Sequence, residues 1–245
     1  MKNQKEWFEE WFDSPYYPIL YKHRNEDEAE RFLSNLVNYL NISKEFKIID
    51  LACGRGRHSV FLNKMGFNVT GVDLSVQSIC EASVYQNKNL HFKVADLRYL
   101  HFNEEFHLAL NLFTSFGYFD CIDTNVKVLT NIHKLLLSKG LLVLDFFNLN
   151  MVLKCLVPHE EKTIDDVKFT INRHVQLGNI VKKIFVEHKG FKHTYYEKVQ
   201  ALSCNDFKDC LEKTGFKINN IFGSYSLQDF DEQNSERLII IAQKC

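Results

Sequence analysis

A doubly wound α/β fold is what this chain predicts, and three observations carry the prediction. From Phe46 onward short apolar runs alternate with helical stretches, some runs are continuously apolar (Leu141-Leu142-Val143-Leu144), and acidic residues or glycines stand where the runs end. Alternation of this kind builds a parallel sheet covered by helices on both faces, so its strands are apolar on both sides. Strands are read at 47–52, 68–73, 90–95, 106–112 and 141–147, with helices from about Arg57, from Ser75 and over 123–137. A helix near 205–214, a strand near 217–222 and a last strand at 237–243 complete this part.

Two segments depart from the alternation. Residues 1–46 read as helical and aromatic: Trp7, Phe8, Trp11 and Phe12 recur at helical spacing, Ser14-Pro15 interrupts them, and a second helix near 27–40 carries Phe32, Leu33, Leu36, Val37 and Leu40 on one face. The four aromatics of the first helix read as core or dimer contacts, which leaves a homodimer open. Further on, Val167, Phe169, Ile171, Val175 and Leu177 occupy every second position, the pattern of a half-buried antiparallel strand. Gly178-Asn179 and Lys189-Gly190 read as two-residue hairpin turns, so a three-stranded meander over 163–200 is expected. The organisation predicted is an N-terminal helical lid (1–46), an α/β core (47–150), an antiparallel β insertion (151–200) and a C-terminal part of the core sheet (201–245).

Composition narrows the function. The 245 residues are 45% hydrophobic and 25% charged, with a formal net charge of −1. Polyanion-binding domains carry a basic excess because phosphate contacts dominate their affinity, so nucleic acid is not the expected partner. Seven scattered cysteines without a CxxC pair, no apolar leader and no run of about 20 apolar residues point to a cytoplasmic protein outside the membrane. Ten histidines show neither HxH nor HExxH spacing, so no metal site is expected; His58 and His174 stand as weak acid/base candidates.

The residues at the strand ends point to a ligand. Asp50-Leu51-Ala52-Cys53-Gly54-Arg55-Gly56 lies where the first strand becomes the first helix, and glycines there let backbone approach a ligand closely. Asp73 closes the second strand, 17 residues beyond Gly56, where a carboxylate suits ribose hydroxyls, and Asp96 follows the third. Ligands of open α/β sheets bind at that edge. A dinucleotide fingerprint would need glycine where Ser59 stands. Asp50 inside the turn would repel a pyrophosphate and attract an ammonium group.

These segments resemble the motifs of class I S-adenosylmethionine-dependent methyltransferases. Asp50–Gly56 with Arg57-His58 is similar to their first motif, Gly71-Val72-Asp73-Leu74-Ser75 to the second, and Ala95-Asp96-Leu97 to the third. The run from Asn111 to Tyr118 resembles the fourth-strand segment of a bacterial small-molecule subgroup, and Ser138-Lys139-Gly140 the glycine-marked approach to the fifth strand. Ala52 stands where the family has its first glycine, a departure that is tolerable if φ stays negative. The resemblance implies a seven-stranded Rossmann-like sheet ordered 3-2-1-4-5-7-6 with the last strand antiparallel, and S-adenosyl-L-methionine as cofactor. It implies Asp50, Ala52, Gly54 and Gly56 near the methionine part, Asp73 and Leu74 on the ribose, Asp96 and Leu97 around adenine, and Asn111 and Phe113 beside the methyl group.

The acceptor side is less marked. Tyr17 and Tyr21 at i, i+4, followed by His23 and Arg24, form a candidate lid, with Tyr21 and Arg24 on the cofactor. Tyr17, Phe116, Tyr118 and Tyr225 are the aromatic candidates for the acceptor. Arg173 shares the apolar face of its strand and needs an anion, either an acceptor group or a structural partner such as Glu197. Methyl transfer from a sulfonium is in-line displacement and needs chiefly positioning and removal of water, so no catalytic residue is singled out. The leading expectation is methyl transfer to N or O of a small molecule. An RNA or protein methyltransferase, with a basic face including Lys182, Lys183, Lys189 and Lys192, and a cofactor-binding protein without catalysis are the alternatives.

Overall fold

The buried residues follow the apolar runs. The structure, a computed structural model, describes residues 6–22, 26–102 and 105–245. It opens with α1 (Trp7–Phe12), α2 (Tyr17–Leu20) and α3 (Glu26–Leu40), then alternates β1 (Lys47–Leu51), α4 (Arg57–Lys64), β2 (Asn68–Asp73), α5 (Val76–Ala82), β3 (Leu90–Val94), β4 (Phe106–Asn111), α6 (Ile122–Leu135) and β5 (Leu136–Phe147). There follow α7 (Leu149–Lys154), β6 (His159–Ile164), β7 (Val167–Gln176), β8 (Asn179–His188), β9 (Phe191–Gln200), α8 (Cys204–Lys213), β10 (Phe216–Phe222) and β11 (Arg237–Lys244).

Seven strands form the main sheet in the order β3-β2-β1-β4-β5-β11-β10, with β11 antiparallel to both neighbours, as expected. One face packs Ile49, Leu129, Ile132, Phe207 and Leu211, and the other Phe32, Leu36, Leu62, Phe67 and Ile239. Hence α3 belongs with this sheet. Ser138-Lys139-Gly140 lies inside β5 as an irregularity: Lys139 has φ 62°, and the pairing with β4 slips between Phe106 and Leu108.

The insertion differs from the three-stranded expectation. It is a four-stranded meander, β6-β7-β8-β9, because 159–164 also pairs with β7 through a turn at Asp165-Asp166. The first tight turn of 163–200 after β7 is Leu177-Gly178, one residue earlier than read, since Gln176 pairs with Asn179. All three hairpin turns hold consecutive positive φ values (47° and 61°, 48° and 71°, 49° and 82°), the geometry that matches strand twist. The alternating face is buried only at Val167, Phe169 and Ile171; Val175 is 48% exposed and Leu177 92%.

That face has its own core. Val167, Phe169, Ile171, Ile184 and Val186 pack against Trp11, Tyr16 and Leu20 of the N-terminal segment. Trp11 is fully buried and donates from Nε1 to Glu197 Oε1 at 2.7 Å across 186 residues of chain. The first 46 residues therefore divide: α1 and α2 join the meander in a cap, and α3 joins the main sheet. Trp7 and Phe12 pack against this core and also line the space beneath the cap.

Candidate active site

The turn after β1 leaves regular dihedrals where the backbone must face a ligand. Ala52, Gly54 and Gly56 have φ of 56°, 54° and 80°. A Cβ at Gly56 would meet the Phe92 ring at 2.6 Å, while one at Gly54 would meet nothing within 4 Å. Gly54 thus presents bare backbone to a cavity of about 1090 Å³, whereas Gly56 is a packing glycine off its wall. Ala52 does not keep the negative φ expected of it; a left-handed alanine costs about 1–2 kcal/mol.

Three carboxylates frame this half of the cavity. Asp50, 1% exposed, accepts from Ser59 Oγ at 2.6 Å, and burial raises its pKa to about 7 against the pull of that hydrogen bond. Asp73 accepts from Gly54 N at 2.7 Å and Ser75 N at 2.8 Å, so it fixes the β1 turn as well as facing the cavity; burial raises its pKa. Asp96 is gripped by Arg98, whose guanidinium also reaches Glu6 at the start of α1 at 2.8 Å. Leu74 and Leu97 complete the wall. At the far end of α1, Asp13 accepts from the hydroxyl of Ser75. The helix is tied down beside both Asp96 and Asp73.

The other half of the cavity lies over the ends of β4 and β5. Phe113 and Thr114 have consecutive positive φ values of 56° and 63°, a strained turn held by Asp145. The fully buried Asp145 carboxylate accepts from Phe113 N at 2.8 Å, Arg237 at 2.7 Å and Tyr225 OH at 3.1 Å. Phe113 is stacked between His58 at 5.0 Å and Tyr225 at 5.4 Å. Burial lowers the His58 pKa to about 3 and, with Asp145 next to it, pushes the Tyr225 phenol up. His58 is therefore a neutral wall, and His174 lies exposed beside Gln176, away from the cavity. Tyr118 donates to Thr114 O at 2.5 Å, Tyr17 lines the same space, and Phe116 is mostly buried against Phe207.

Several expected positions move. Asn111 braces the sheet, donating to Leu51 O and Ser115 O, and does not line the cavity. Tyr21 reaches across to the meander: its hydroxyl donates to Glu197 and accepts from Lys182, each at 2.5 Å. Arg173 pairs with Glu160 on β6 at 2.5 Å; Glu197 belongs to Lys182 at 2.6 Å. Arg24 lies outside the described residues. Arg98, Asp145 and Arg237 were missed, although an aspartate inside Leu141-Leu142-Val143-Leu144-Asp145-Phe146-Phe147 was a visible signal. Among the described residues no group of His, Cys, Asp and Glu could hold a metal, and no helix is long and apolar enough to cross a membrane.

Residues 48–140, which carry the whole cofactor half of this site, match the family described as the methyltransferase domain. The chain carries a methyltransferase domain on the class I fold, with S-adenosylmethionine as its cofactor. It is 22% identical over 214 residues to the putative methyltransferase YqeM of Bacillus subtilis (strain 168), covering 83% of this chain and 86% of that one. An S-adenosylmethionine-dependent methyltransferase from Clostridium acetobutylicum ATCC 824 shares the fold with a TM-score of 0.79 at 18% identity, over 94% and 96% of the two chains. CalS10, an amino pentose methyltransferase from Micromonospora echinaspora solved with S-adenosylmethionine bound, does so with a TM-score of 0.70 at 14% identity, over 95% and 98%.

The methyltransferase's residues fit its cofactor. Gly54 leaves open space at the turn, Asp50 offers a carboxylate to an ammonium group, and Asp73 and Asp96 remain on the wall. The cavity slightly exceeds the range of about 300–1,000 Å³ usual for ligand sites, which leaves room for an acceptor beside a cofactor. The bound cofactor supplies a methyl group already activated on a sulfonium.

Proposed function

We propose that this methyltransferase acts on the nitrogen of a small-molecule amine inside the cavity between cap and core. The observation that carries this reading is the cap itself, which covers the strand ends where a macromolecule would otherwise dock. Two of the four lysines that a basic face would need support the same reading: Lys192 is paired with Glu187, and Lys182 is turned inward to Glu197. Seven free thiols suit a reducing cytoplasm.

Nitrogen is favoured over oxygen by the acid–base state of the acceptor half. Glu197 is held as a carboxylate by Lys182, Tyr21 and Trp11, which lower its pKa despite burial, and is a weak base. Asp145 is enclosed by its donors, and His58 has lost its basicity. An alcohol needs a strong base to become a nucleophile, whereas an amine brings its own lone pair and releases its proton to water. The protein's part is then to exclude water and to align the nucleophile, with Phe113, Tyr118 and Tyr225 walling the approach. The amino pentose methyltransferase of like fold acts on a molecule of this kind.

The test offers the purified chain methyl-labelled S-adenosylmethionine with a panel of amino sugars and other small amines, their hydroxyl analogues, and total RNA. Label is expected in amines alone. Label in RNA, or in the hydroxyl analogues, counts against the reading.

A further inference from the structure

Seven of the eight residues 151–158 are apolar, Lys154 being the exception, yet none is buried. No residue of α7 is buried either, and Leu153 and Val157 are 44% and 53% exposed. A contiguous apolar stretch left open to water marks a binding surface more often than a scattered exposed leucine does. This stretch forms one wall of a groove of about 560 Å³, with Arg173, Glu160 and Glu236 at its polar end. The groove runs into the main cavity: Val152, Leu156, Arg173 and Glu236 line both.

The groove is also built in advance. Arg173 pins the segment from the meander, donating from its backbone N–H to Pro158 O at 2.8 Å and from Nη1 to Val157 O at 3.3 Å, while Nη2 holds Glu160. A pre-formed apolar wall costs little ordering when a ligand arrives.

We propose that this groove is a second acceptor subsite that takes an apolar body, so that the acceptor is an amphiphilic amine with its nitrogen in the main cavity and its hydrocarbon part along 151–157. The proposal rests on the small-amine reading above and adds the shape and polarity of the molecule. Its occupant follows from continuity: whatever lies along Val152 and Leu156 touches both spaces.

The probes are straight-chain primary amines from butylamine to octylamine, titrated by calorimetry into the full chain saturated with S-adenosylhomocysteine. Affinity should rise by about fourfold for each added methylene. Met151→Glu and Val157→Asp, at positions that line only the groove, should flatten that slope and leave butylamine and S-adenosylhomocysteine binding unchanged. An affinity independent of chain length, or a slope that survives both substitutions, overturns the subsite. So does a wild-type dimer in sedimentation that Val157→Asp dissociates, since a second copy would then cover the groove. Short amines that accept label without any dependence on length would leave the small-amine reading standing while the subsite falls. Label found only in RNA would remove that reading itself.

Discussion

Asp50 is expected to couple cofactor binding to pH. With a pKa near 7 in the unliganded protein, it is part protonated at neutral pH, and an ammonium group beside it recovers the carboxylate. Binding therefore releases a proton, and S-adenosylhomocysteine affinity should rise from pH 6 to pH 8 and level off above, by up to about tenfold per unit below the pKa. The folded state holds this proton more tightly than the unfolded one between the ordinary value of 3.8 and about 7. Asp50's contribution to stability therefore declines as pH rises through that window, opposite to its effect on binding. Calorimetry on the wild type and on Asp50→Asn checks both; a variant that keeps the full pH dependence would move the titration to another group. At this scale the sequence was informative where chemistry forces a residue type. Asp50, Gly54, Asp73 and Asp96 stood out because few side chains suit a strand end facing a charged ligand. Asn111 misled because its amide has two backbone carbonyls within reach, and only coordinates reveal which way it turns.

Among the elements, α1 is tied to the core sheet by single residues at its ends. Arg98 joins Asp96 of the core to Glu6 of the helix, and Ser75 joins Asp13. Glu6→Gln breaks the helix arm while Asp96 stays paired. The loss should be about 1 kcal/mol, as for partly exposed ion pairs, and should show as S-adenosylhomocysteine dissociating roughly fivefold faster with a weaker salt dependence. Stopped-flow measurement decides it; an unchanged dissociation rate would mean that α1 does not gate the cofactor. The strands of the main sheet were legible from apolar runs alone. β6 was not, because His159-Glu160-Glu161-Lys162 is polar throughout and its turn, Asp165-Asp166, lacks the glycine that signals a hairpin. Missing β6 also hid the partner of Arg173, since Glu160 lies on it.

At the scale of the molecule, the cap and the core should respond separately. Trp11→Ala removes the largest fully buried side chain of the cap and should cost it about 3–5 kcal/mol. Hydrogen exchange should quicken in β7 and β8 while β1 and β4 keep their protection. Uniform acceleration across both sheets would show a single cooperative unit instead. The order of the main sheet was predictable because parallel α/β connections allow few arrangements. The joining of α1 and α2 to the meander was not, for no local pattern relates Trp11 to a strand that far along the chain.

That long connection has a consequence during synthesis. The N-terminal apolar side chains emerge first, yet the strands that cover them come last but for the end of the core sheet. Trp11, Tyr16 and Leu20 must therefore wait, exposed, while most of the chain is made. Bringing such distant segments together is slow because the loop between them must be closed before any contact repays it. The nascent protein thus completes the strands that carry Asp50, Asp73 and Asp96 before its cap exists, and a chain interrupted before residue 186 has the former and lacks the latter.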